Sequence, residues 1–213
     1  YEICACLVGS EMCIRDSRWT AFVAGTRMAF ISVQADEAEY YTKIESKQEQ
    51  TKLAQGLPNV GDSSKSNKRE AETVARLIHT LCQLYSRSGI PFSPCKQIGI
   101  IVPFRAQIAM IRKALAERHI PDTADITIDT VERYQGSQRD IIIFSTTVSR
   151  PYQLSILSEP VMTDGREIDR KLNVALTRAR KQFFMTGNET LLRNCTAYRK
   201  FLDFLSKEQI LRL

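Results

Sequence analysis

The sequence predicts an α/β protein built on a mostly parallel sheet with helices on both faces. Three observations predict it. Short β-prone runs alternate with helical patterns along the chain, the order that parallel sheets produce. Two of the runs, Ile98–Val102 (IGIIV) and the IIIFSTT stretch within Asp140–Thr147, are apolar throughout, as strands covered on both faces are. The polar motifs lie in the connections between these elements. They are expected at the loops beyond the strand C-termini, where such sheets bind ligands.

Residues 1–17 (YEICACLVGSEMCIRDS) resemble a translated sequencing adapter. They are read as a non-native or disordered terminus without function, which leaves 18–213 as the domain. Met28–Val33 (MAFISV) is a short β-prone run. The stretch 34–66 is polar and carries Gly56, Pro58, Gly61 and a Ser-rich run. It is expected to be an exposed excursion, partly helical over 38–55. A long helix follows, with Asn67 as its cap and Glu70 placed to complete a capping box. Ala71, Val74, Ala75, Ile78, Leu81, Cys82 and Tyr85 form one stripe along it, and Gly89 and Pro91 end it.

The strand Ile98–Val102 stops at Pro103, and a helix over Phe104–Arg118 places Ile108, Ile111 and Leu115 on one face. Ile126–Thr130 and Asp140–Thr147 are the next strands. A helix over Ile168–Arg180, a strand over Gln182–Thr186 turned by Gly187, and a helix over Ala197–Ser206 complete the chain.

Composition narrows the function classes. With 43% hydrophobic and 25% charged residues the chain is an ordinary globular one. No apolar run approaches the roughly 18 residues of a membrane span, and no secretory signal is evident, so an intracellular protein is expected. A net charge of +6 and a pI near 9.1 favour a polyanionic partner. The six cysteines make no disulfide framework and are read as reduced thiols. Cys4, Cys6 and Cys13 lack a histidine or a second cysteine pair, so no metal site is expected.

Three segments carry chemistry. In IVPFRAQIAMI (Ile101–Ile111) a buried strand ends at Pro103, and Phe104, Arg105 and Gln107 are expected to line the loop and first helical turn. An aromatic and a cation there can stack a base or contact phosphate. In TIDTVERYQGSQRDIIIFS (Thr127–Ser145) the strand delivers the Thr130 hydroxyl to its end, and Gly136 permits a tight turn near a ligand. In DRKLNVALTRARKQFFMTGN (Asp169–Asn188) cations crowd one helix, and Arg178 and Arg180 point to nearly opposite sides. One can then face a triphosphate while the other makes a structural pair.

In this order the segments resemble motifs IV, V and VI of superfamily 1 helicases, in the branch of the nonsense-mediated-decay helicase and the Okazaki-fragment helicase–nuclease. VERYQGSQRD and LNVALTRAR carry most of the likeness, and SNKREAETVARLI resembles the helix before motif IV. The resemblance implies a RecA-like, P-loop-NTPase-type lobe. It further implies Arg178 as the arginine finger on the γ-phosphate, and Gly136 and Gln138 beside the nucleotide. Pro103, Phe104 and Thr130 would lie along a bound single strand, with 5′-to-3′ travel. Many relatives have Glu where this chain has Gln138; an amide still reaches a ribose hydroxyl but carries no charge.

No G-x-x-x-x-G-K-[ST] loop is present, so the lobe lacks its own phosphate cradle. Asp36-Glu37-Ala38 is not a Walker B box, because Gln34 and Ala35 interrupt the strand that would deliver the aspartate. The resemblance therefore implies ATP and Mg²⁺ held mainly by the N-terminal RecA-like lobe of the same helicase, single-stranded DNA or RNA as the track, and no ATP hydrolysis by this chain alone. The competing expectation is a stand-alone nucleic-acid-binding or regulatory module that kept the lobe without catalysis.

Overall fold

The computed structural model describes residues 14–33, 65–134, 137–163 and 165–213. Of the expected excursion over 34–66, residues 34–64 lie outside the described residues, and with them the partial helix over 38–55 and Asp36-Glu37. Cys4, Cys6 and Cys13 lie outside them too.

The chain runs through α1 (Ile14–Gly25), β1 (Met28–Ser32), α2 (Lys68–Arg87), α3 (Pro94–Gln97), β2 (Ile98–Val102), α4 (Arg105–Glu117), β3 (Thr127–Thr130) and β4 (Arg139–Ser145). It continues through α5 (Leu154–Leu157), β5 (Pro160–Thr163), β6 (Arg166–Asp169), α6 (Arg170–Thr177), β7 (Ala179–Gly187), α7 (Glu189–Leu192), α8 (Thr196–Phe204) and β8 (Ile210–Arg212). Six strands form one sheet in the order β3-β2-β4-β7-β1-β8. All five pairings are parallel. β5 and β6 form a separate antiparallel hairpin.

The alternation of a pleated strand assigns successive residues to opposite faces. Ile98, Ile100, Val102, Ile141, Ile143 and Phe184 join α1, α2 and α4 in one hydrophobic core. Ile101, Ile142, Phe144, Phe183 and Met185 join α6 and α8 in the other. Helices therefore cover both faces, as the apolar runs require. The predicted stripe of α2 is buried except for half-buried Cys82. Trp19 of α1 anchors that helix to α2 by an indole hydrogen bond to Thr80 of 2.8 Å. α1 was not foreseen, and it begins at Ile14, inside the segment read as a non-native terminus.

Two other expectations change, and the hairpin and β8 were not foreseen. The helix expected over Ile168–Arg180 is confined to Arg170–Thr177, because β6 precedes it and β7 begins at Ala179. The hairpin β5–β6 and the short edge strand β8 carry no apolar alternation of useful length. The capping box is half realised. Asn67 caps α2 by accepting from the Glu70 N–H at 3.0 Å, but the Glu70 carboxylate does not return to the Asn67 N–H. That N–H donates instead to Gln107 at 2.7 Å.

Candidate nucleotide and strand interfaces

A parallel sheet has two unlike edges, one formed by the strand C-termini and the other by the N-termini. The expectation that all the motifs sit at the C-terminal edge holds for only some of them.

At the C-terminal edge Pro103, Phe104 and Thr130 come together, as expected. They line an open groove of about 560 Å³ with Lys65, Arg105, Arg133 and Ile156. Phe104 is the N-cap of α4 and only 7% exposed. Its ring packs as wall and offers little face for stacking, contrary to the expectation for this position. Gln107 is wholly buried and does not line the loop. Its amide pairs with both the N–H and C=O of Asn67 at 2.7 and 3.1 Å, so it clamps α4 to the start of α2. Glu132, also in the groove, forms an ion pair of 3.2 Å with Lys171. Burial disfavours its charge, but its hydrogen bonds, including those from Thr130 and Lys171, outweigh this and lower its pKa.

Behind this edge lies a group the sequence did not single out as unusual. The carboxylate of Glu70 has no exposure. Its Oε2 accepts from Ser145 Oγ at 2.7 Å, Thr147 N at 3.0 Å and Thr186 Oγ at 3.1 Å. Thr147 holds φ +60 to present that N–H. Burial pushes the Glu70 pKa up to about 7, although the hydrogen bonds from Ser145, Thr147, Thr186 and Thr146 pull it down. An acidic residue at the third position of a capped helix was the available signal, and it pointed to the local role.

Gln138 and Arg178 lie at the opposite, N-terminal edge. The reason is topological: β3 and β4 flank β2 in parallel, so the chain must cross from the end of Thr130 back to the start of Arg139. Val131 and Tyr134 are buried along this crossover. Tyr134 sits where a side chain on Gly99 would be, and a Cβ at residue 99 would collide with the tyrosine Oη. The missing side chain of Gly99 is thus what lets the crossover lie flat on β2. Gly136, expected beside the nucleotide, lies outside the described residues.

Arg178 occupies the junction between α6 and β7. It is the helix C-cap at φ −82, ψ −18, and its carbonyl accepts from Arg139 N at 3.0 Å. The side chain is partly exposed, with a buried Nε that has no hydrogen-bond partner. Gln138 is exposed and bridges the same corner. Its Nε2 donates to the Thr177 carbonyl at 3.5 Å and its Oε1 accepts from Arg180 Nε at 3.4 Å. The pair of arginines divides as expected in one respect: Arg180 holds a protein partner, while the Arg178 guanidinium bonds to no described residue. Arg139 adds a third cation and reaches Thr127 Oγ at 3.2 Å. Lys181 is neutralised by Asp140 at 2.9 Å.

A parallel sheet with a cationic corner at one edge and a groove at the other defines the class, a RecA-like lobe. The comparisons with known proteins name the family. The model of an AAA domain family matches residues 16–190, and the chain belongs to that family, within its superfamily 1 helicase C-terminal region. It is 32% identical to MOV-10 of Gallus gallus over 155 residues, which is 67% of this chain and 15% of that protein. It is 34% identical to the DNA polymerase alpha-associated DNA helicase A of Saccharomyces cerevisiae over 103 residues, 48% of this chain and 14% of the helicase. It is 31% identical to the DNA replication ATP-dependent helicase/nuclease DNA2 of Bos taurus over 139 residues, 64% and 12%. The chain therefore spans a small fraction of the length of these relatives. It is a helicase-derived domain. Among the described residues no helix is long and apolar enough to cross a membrane.

Proposed function

We propose that this chain is the second motor lobe of an ATP-dependent helicase that travels along single-stranded DNA or RNA. The observation that carries the reading is Arg178. A guanidinium with a buried, unpartnered Nε stands at the sheet edge, beside the partly solvent-facing cation Arg139. The burial of Nε fixes the guanidinium, and the solvent-facing remainder of this partly exposed side chain can meet the oxygens and the charge of a triphosphate. In the complete motor, ATP and Mg²⁺ would be held mainly by the N-terminal RecA-like lobe. Arg178 would then meet the γ-phosphate when the lobes close and stabilise the charge that develops there. Gln138 would approach the ribose, with Gly136 next to it. The opposite edge would hold the strand, with Thr130 and Pro103 along its backbone and Phe104 as the wall behind them. Each closure and opening would shift one lobe along the strand relative to the other.

Two measurements test the reading. The purified chain should bind a fluorescent single strand at low salt and release no phosphate from ATP, with or without that strand. Strand-stimulated ATP turnover by the chain alone would overturn the two-lobe reading. Joining the chain to a first lobe that carries a phosphate loop should restore turnover. If the joined protein binds ATP and the strand but stays inactive, the stand-alone binding module is the better description.

A further inference from the structure

The groove that holds Thr130 has two walls of different chemistry. One is cationic: Lys65, Arg105 and Arg133 are exposed, and none forms an ion pair with another described residue. The one groove carboxylate, Glu132, is already neutralised by Lys171. The other wall begins at Ile156, which lines the groove and is 42% exposed. Tyr152 lies four residues earlier in a continuous helical stretch, Pro151–Gln153 followed by α5. That spacing puts the two side chains on one face, and Tyr152 is 53% exposed. Lys171 ties this wall to the groove, for its Nζ bonds both the Ile156 carbonyl, at 2.8 Å, and Glu132.

Large apolar side chains cost free energy when left in water. Among the described residues the exposed ones are Tyr152, Ile156, Val161, Met162 and Ile168, which fall between residues 152 and 168, and Phe204 and Leu213 further on. An apolar partner would bury this face but would leave the adjacent cations unmatched. A duplex would satisfy the cations but hides its base faces. A single strand satisfies both, with phosphates on Lys65, Arg105 and Arg133 and unstacked bases on the Tyr152–Ile156 face.

We infer that Tyr152 and Ile156 form a base-stacking platform beside the phosphate-binding wall, so that the groove grips unpaired bases as well as backbone. The inference deepens the strand-track reading and rests on it. Tyr152 is the main contact, because a phenol ring stacks on any base without sequence preference. Ile156 closes the inner end.

The test is fluorescence anisotropy of the purified chain with fluorescein-labelled oligothymidylate, an abasic oligomer of the same length and a blunt duplex. Tyr152→Ala should weaken oligothymidylate binding by about five-fold or more while leaving the dependence on salt unchanged. Tyr152→Phe should restore it, and abasic and duplex binding should not respond. Arg133→Ala should weaken all three ligands and lower the single-strand salt slope by about 0.7. If Tyr152→Ala binds oligothymidylate like the unaltered chain while Arg133→Ala does not, the platform is wrong and the track stands. If the unaltered chain binds no strand at low salt, the track reading itself fails. Should Tyr152→Ala convert a dimer into a monomer by light scattering, the face belongs to a second copy of the chain and the inference is overturned.

Discussion

The two edges of the sheet differ in how they hold charge. At the C-terminal edge the cations Lys65, Arg105 and Arg133 stand exposed around an open groove, and the one buried ionisable group behind it, Glu70, is satisfied by hydroxyls and an N–H without a cation. At the N-terminal edge the arginines are half sunk into the protein, and the Nε atoms of Arg139 and Arg178 are buried without partners. The first arrangement suits a ligand that slides, since exposed cations at high dielectric bind weakly and exchange counterions. The second suits a ligand whose charge changes during reaction, because a fixed and partly desolvated guanidinium interacts more strongly there than in water. Strands of about five residues at roughly 3.3 Å each keep these edges some 17 Å apart. The segment from Thr130 to Gln138 joins a residue at one edge to a residue at the other.

The sharpest way to break this comparison is to disable each edge in turn in a complete two-lobe motor. Arg178→Ala should lower ATP turnover by about 10³–10⁵ and leave strand affinity within two-fold (~2). Thr130→Val should do the reverse, weakening the strand by about five-fold, one hydrogen bond's worth, with little effect on turnover at saturating strand. Phosphate release and anisotropy measured on both variants give four numbers. Near-normal turnover in Arg178→Ala would remove the functional distinction between the edges.

The next largest effect concerns the C-terminal edge alone. The Glu70 pKa is raised to about 7 in the folded chain, against roughly 4.3 for an exposed glutamate. The folded state therefore holds the proton more tightly. Its contribution to stability is fully present below the unfolded value and is lost as pH rises through 7, on the order of 3 kcal/mol in all. Urea unfolding of the chain between pH 4 and 8 (roughly 4 to 8, the window set by these two values) should show this decline. Glu70→Gln should flatten it, because the amide carries no charge to desolvate. A profile that keeps its slope in Glu70→Gln would assign the pH dependence to another group.

Much of this architecture was legible in the sequence, and the parts that were not share a cause. Ile98–Val102, the β4 run and the stripe of α2 were visible because burial imposes a period on neighbouring residues. Pro103, Phe104 and Thr130 share a groove because each closely follows or ends a strand of the same parallel pair. The edge on which Gln138 and Arg178 lie was legible by the same rule, since each directly precedes a strand. That they share one corner was not, because it depends on β4 and β7 lying side by side, and strand order is a property of residues far apart in the chain. The burial of Glu70 was hidden for a related reason. A glutamate three residues after an asparagine cap has a local explanation, and only the strand ends that carry Ser145, Thr147 and Thr186 supply the actual one. The burial of the Phe104 ring at the N-cap of α4 is tertiary and left no local mark, while Tyr152 carried no signal because no motif contains it.

The smallest expected effects fall on the crossover that joins the edges, and they test whether it is a mechanical link. Gly99 has no room for a methyl group, because the Tyr134 Oη occupies that space. Gly99→Ala must push the tyrosine aside and should destabilise the chain by about 1–3 kcal/mol. The Oη is itself buried without a hydrogen-bond partner among the described residues. Removing it eliminates an unsatisfied group, so Tyr134→Phe alone should be neutral or stabilising by up to about 1 kcal/mol. The double variant should then recover part of the Gly99→Ala loss, because the closest colliding atom is gone and the ring edge and Ile142 Cδ1 remain to give way. Additive effects in urea unfolding would show that the methyl is accommodated by movement of β2, leaving the crossover undisturbed. Coupled effects would tie Thr130 at one edge to Gln138 at the other through a single packed ring.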